Sequence, residues 1–139
     1  MKTEDELITD DEWLIRLVWK TRVRPDRTPI IGISSFQPRD DEQTGISFFR
    51  LACLASPLVA LNVVKEDNRD GNAIVLISVA LIQELQCTLR PDRIPQVAGH
   101  MLMPEINPVA YRTEKQRLET LFLQLANQAS ANIIRHPLA

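Results

Sequence analysis

With 139 residues, 45% apolar and 24% charged, the chain is sized for one hydrophobic core and needs no disulfide or metal to close it. A formal charge of −2 and a pI near 5.7 argue against a dedicated nucleic-acid binder, whose affinity comes largely from cationic contacts to phosphate. The N-terminus, MKTEDELITDDEW, lacks the basic start and apolar run of a secretory leader, and the apolar runs at 51–64 and 73–85 are broken by Ser, Pro, Asn or Gln short of a membrane span, so the expectation is a soluble cytoplasmic protein without membrane contact.

Residues 1–12 carry Glu4, Asp5, Glu6, Asp10, Asp11 and Glu12 and read as an acidic, mobile N-terminal segment ahead of a single domain over 13–139. WLIRLVW at 13–19 puts Trp13, Ile15, Leu17 and Trp19 on one side of an extended chain and Leu14, Arg16 and Val18 on the other, which predicts a strand. Two prolines and an Asp make 22–29 a loop, and 30–36 reads as a short extended segment before the polar, exposed stretch QPRDDEQTG. The period over 46–55 does not decide between strand and helix. Ser56 and Pro57 suit an N-cap and a first helical position, predicting a helix over 56–64. After a turn at 68–72, the β-branched run AIVLISV at 73–79 predicts a central strand buried on both faces. A helical turn or two over 80–85, an extended 87–89, a turn at 90–95 and a strand over 96–103 carrying His100 follow. From Thr113 the pattern becomes a long amphipathic helix to residue 129, with Thr113 and Gln116 matching a capping box and Leu118, Leu121, Phe122 and Leu125 forming one stripe. Ile133 and Ile134 suit a last strand or an apolar tail. The expected fold is a single α+β domain, a mostly antiparallel sheet covered by the 56–64 and 113–129 helices.

The motifs that cradle phosphate, hold zinc or raise a nucleophile are absent from the sequence. Cys53 and Cys87, without CxxC spacing or a neighbouring His, read as reduced core or boundary thiols, and no metal or cofactor is expected. His100 is the best single candidate for acid–base work, since its side chain titrates near neutral pH within an apolar strand; the alternative is a hydrogen-bonded strand histidine. His136, beside Pro137, reads as exposed. Arg16, Ser34 or Ser35, and Glu105 on successive segments resemble the order of residues in mono-ADP-ribosyltransferases, in which Arg and Ser hold the dinucleotide and Glu orients the acceptor. The chain departs from that pattern in lacking the Ser-Thr-Ser triplet and the second acidic residue before the Glu. Arg16 paired with an acidic neighbour is the structural alternative.

Arg24-Pro25-Asp26-Arg27 recurs as Arg90-Pro91-Asp92-Arg93. The same turn used twice accounts for the echo. Two loops meeting on one sheet edge, with Arg24, Arg27, Arg90 and Arg93 engaging an acidic partner, a phosphate or a nucleic acid, is the functional reading.

Trp13-Leu14-Ile15-Arg16, Ser34-Ser35-Phe36-Gln37-Pro38, Gly45-Ile46-Ser47 and the late His100 together resemble a group of small bacterial proteins of unassigned function. That resemblance implies a bacterial source and an intact domain, and it makes Arg16, Ser34 or Ser35, Ser47 and His100 the positions to test. With charged loops present and catalytic motifs missing, the leading expectation is a non-enzymatic protein–protein interaction module, an accessory component of a multi-gene bacterial system. The NAD-dependent transferase using Arg16, Ser35 and Glu105 or His100 is the alternative.

Overall fold

Alternation along the chain is realised as strands β1 (Trp13–Trp19), β2 (Ile46–Arg50), β3 (Asn72–Ser78), β4 (Arg90–Pro91), β5 (His100–Met103) and β6 (Ile133–Arg135), with helices α1 (Val79–Glu84), α2 (Pro108–Thr113) and α3 (Lys115–Ala131) between them. The computed structural model describes residues 1–138. The strands form one antiparallel sheet in the order β4-β5-β2-β1-β3-β6, giving an α+β domain. β3 pairs with β1 along its whole length, from Trp13↔Ser78 to Trp19↔Asn72. Both strands are central and lose both faces to apolar neighbours, as β-branched runs require.

The period-2 alternation divides the core in two. Leu14 and Val18 point with Phe48, Ala73, Val75, Ile77 and Met103 toward the Leu118, Phe122 and Leu125 stripe of α3. Ile15 and Leu17 point with Phe49, Ile74 and Leu76 to the other face, where Leu54, Ala60, Leu61 and Val97 cover them. Among the described residues no helix is long and apolar enough to cross a membrane.

Several local expectations change. The segment 56–64 is a 3-10 helix, Pro57–Val63, although Ser56 caps it as anticipated by accepting the Leu58 amide at 3.3 Å. Its β-branched Val59 and Val63 have restricted side-chain rotamers in an α-helix. Residues 30–36 are extended only at the start: Ile31 bridges Val23 and Gly32 is extended, but Ile33–Phe36 is a 3-10 turn. The β5 strand starts only at His100, because Gly99 turns the chain with φ +78°. The capping box at α3 does not form; Thr113 is the last residue of α2 and its Oγ1 donates back to the Val109 carbonyl at 3.0 Å. α2 itself, capped by Asn107 with Pro108 at the first position, was not anticipated. Residues 2–12 are bonded to the body: the Lys2 amide donates to the Ala52 carbonyl at 2.7 Å, the Gly99 amide to Glu4 at 2.6 Å, and Arg50 to Glu12 at 2.9 Å.

Candidate functional site

β1 and β2 pair only at Leu14↔Arg50 and Ile15↔Phe49. Beyond that point a buried ion pair takes the place of the ladder. Arg16, 1% exposed, points to the α3 side of the sheet, its guanidinium carbon 5.9 Å from the centres of both the Phe36 and Phe48 rings. Nε and Nη2 donate to the Ser35 carbonyl at 3.1 and 2.9 Å, Nη1 to Glu42 Oε2 at 2.6 Å and to the Ser47 carbonyl at 3.1 Å, and Nη2 to Glu42 Oε1 at 3.2 Å. Those bonds use all five donors of a guanidinium. Glu42 also accepts from the Ser47 amide at 2.6 Å and the Arg39 amide at 2.9 Å. The amide and carbonyl of Ser47 are thus satisfied by opposite charges.

Such a pair survives burial only because its hydrogen bonds are complete. Burial pushes the Glu42 carboxyl up, but the charge and hydrogen bonds of Arg16, aided by Arg39, outweigh it and hold it at about 2. A second pair, Arg50 with Glu12, fixes the N-terminal segment: Nε and Nη2 reach the two carboxylate oxygens at 2.9 Å each, and Nη1 donates to the Glu6 carbonyl at 2.7 Å. Against the pull of burial, Arg50, the Thr9 amide and Lys2 bring Glu12 down to about 2 as well.

The residues singled out in the sequence are not gathered into one cleft. Arg16 faces α3, whereas His100 is the register partner of Phe49 and lies tilted against its ring, centroids 5.1 Å apart, on the opposite face of the sheet. His100 Nδ1 lies 2.7 Å from the Asp92 carbonyl and 3.2 Å from an Asp92 carboxylate oxygen. Glu105 accepts the Thr88 amide at 3.0 Å, away from both. Ser35 supplies its carbonyl to Arg16, while its buried Oγ has no partner among the described residues. The geometry expected of a transferase, with Arg16, Ser35 and Glu105 or His100 lining one dinucleotide cleft, is not what the chain builds.

The Arg-Pro-Asp-Arg loops also differ in use. Arg24 donates to the Pro29 carbonyl at 3.2 Å and closes its own loop, which is tied to the end of α3 by Ile31 and Ser130 at 3.0 Å. Arg27 is exposed, and Arg90 lies exposed on edge strand β4. Arg93 pairs with Glu4 at 3.7 Å and with Asp5. Among the described residues the four arginines share no partner.

Two cavities flank Arg39. The first, about 390 Å³, lies at the C-terminal end of β1 and is lined by Trp19, Thr21, Arg22, Ser34, Ser35, Gln37 and Arg39, with Asp40 at its edge. The second, about 310 Å³, lies on the His100 face and is lined by Leu17, Phe49, Val63, Val64 and Ile94 together with Arg39, Ser47, Gln96 and His100. Arg39 is half-exposed and spends its Nε on Glu42 at 3.2 Å. Both cysteines are free and buried, and among the described residues no group of three His, Cys, Asp or Glu is placed to hold a metal ion.

Sequence reasoning missed Glu42 and Asp92. The signal for Glu42 was indirect: an Arg between Leu14 and Val18 on a buried strand face demands a carboxylate, but Asp40, Asp41 and Glu42 stand equally close in the sequence. Comparison with protein-family models, with curated proteins and with solved structures finds no significant match.

Proposed function

We propose that the domain is a non-enzymatic interaction module whose cleft at the C-terminal end of β1 receives an acidic segment of a partner protein. The observation that carries this reading is the composition of the 390 Å³ cavity, in which Arg22 and Arg39 line the wall together with the hydroxyl residues Thr21 and Ser34. Guanidinium forks and hydroxyls are the groups that bind carboxylates with charge-assisted hydrogen bonds. Beneath them Arg16 and Glu42 cancel one another, so the cationic character comes from Arg22 and Arg39. Asp40 also lines the cavity and repels any anion, so the reading rests on Arg22 and Arg39 outweighing it.

The test is fluorescence anisotropy with a fluorescein-labelled glutamate-rich peptide at low salt. Saturable binding, weakened about tenfold by Arg22→Ala through the loss of a charge-assisted contact and unchanged by Arg93→Ala on the second loop, supports the proposal. Absence of saturation, or equal capture of a single-stranded oligonucleotide, overturns it.

A further inference from the structure

The second cavity carries a different chemistry. We infer that it binds a small monocarboxylic acid with an apolar body, of the arylalkanoate or medium-chain type. Leu17 and Phe49 form an apolar floor with Val63, Val64 and Ile94 beside it. Val63 is left 40% exposed and its neighbour in the same 3-10 helix, Leu58, 54% exposed. An apolar body laid on Leu17 and Phe49 covers Val63 and gains the burial that the fold leaves undone. The volume of about 310 Å³ is at the small end of the ~300–1,000 Å³ typical of ligand pockets.

The polar groups converge on one side of this floor. Arg39 Nε is held by Glu42, which orients the guanidinium and leaves Nη1 and Nη2 for a ligand. Of the two carboxylates lining the cavity, Glu42 is consumed by Arg16, and Asp41 is exposed. Arg39 is therefore the group that fixes an acidic head. His100 completes the wall. The Asp92 carbonyl 2.7 Å from Nδ1 can only accept, so Nδ1 carries a proton and the ring is held in place at the cavity wall. Gln96 and Ser47 add an amide and a hydroxyl. An apolar floor with a few convergent polar groups is the anatomy of a small-molecule site, and it is separate from the acidic-segment cleft except at Leu17 and Arg39.

The experiment is a titration of the ¹⁵N-labelled protein with 4-phenylbutyrate, followed by amide chemical shifts. The expected result is saturation with the largest changes at Leu17, Phe49, Val64, Gln96 and His100, and about tenfold weaker binding of 4-phenylbutanol, which lacks the charge. Ile94→Trp, which fills the cavity, and Arg39→Ala each weaken binding by about tenfold or more, whereas Arg22→Ala leaves it unchanged. Should Ile94→Trp fail to fold, Val63→Trp on the exposed rim makes the same test. No saturation up to about 10 mM, equal binding of the alcohol, or a loss caused by Arg22→Ala overturns the inference. The last control separates its failure from that of the peptide-binding cleft.

Discussion

Replacing Glu42 with Gln is the sharpest perturbation of the Arg16 centre. Arg16 is 1% exposed and cannot turn to water. The new amide keeps one acceptor but sets an NH₂ against donors: on one side Arg16 Nη1 and the Ser47 amide, both 2.6 Å from Oε2, and on the other Arg16 Nη2 and the Arg39 amide on Oε1. Breaking one partner out of a buried pair costs about 3–5 kcal/mol. Urea unfolding, read by the fluorescence of Trp13 and Trp19 at the two ends of β1, measures this as a lower midpoint at an unchanged slope. A loss below about 1 kcal/mol for Glu42→Gln refutes the reasoning. The pH dependence follows with its sign. Because Glu42 is held at about 2 against 4.5 for a free side chain, its contribution is complete above pH 4.5 and is lost as pH falls toward 2. That window is worth about 3 kcal/mol. Glu42→Gln flattens the acid limb, with the part due to Glu12 remaining.

Other outcomes test separate parts of the structure. Glu12→Gln costs about 2–4 kcal/mol in thermal or urea unfolding because it strands the buried Arg50; a negligible cost would mean that the N-terminal segment is not held as described. Gly99→Ala puts a Cβ 2.9 Å from Cys53 Cβ at φ +78° and lowers stability by about 1–3 kcal/mol, read from the urea midpoint. Neither thiol reacts with a chromogenic disulfide at pH 8 until urea is added. Both are buried; burial, with a smaller push from Glu105, raises Cys87 to about 11, and burial raises Cys53 too. Rapid labelling of the folded protein contradicts this.

Period carried most of the architecture. WLIRLVW, AIVLISV and the Leu118-Leu121-Phe122-Leu125 stripe each announce their element because burial acts locally on alternating or helical positions, and all three are where expected. Caps were less informative. Ser56-Pro57 and Asn107-Pro108 carry the same signal, yet one opens a 3-10 helix and the other an α-helix. Within the site, Arg16 stood out as a charge on a buried strand face. Its partner lies 26 residues away in a loop that looked solvated, and only the splay of β1 from β2 selects Glu42 over Asp40 and Asp41. The pairing of His100 with Asp92 was likewise hidden, because it depends on β4 lying beside β5.

The decisive measurement for the cleft beside β1 is where a glutamate-rich peptide lands on the protein. In an amide chemical-shift titration, the expected result is saturable change centred on Thr21, Arg22, Ser34, Ser35 and Arg39 at the cavity beside the end of β1, with binding weakened about tenfold by Arg22→Ala. Changes confined to Arg90, Arg93 and their neighbours, or spread evenly over the surface, contradict it.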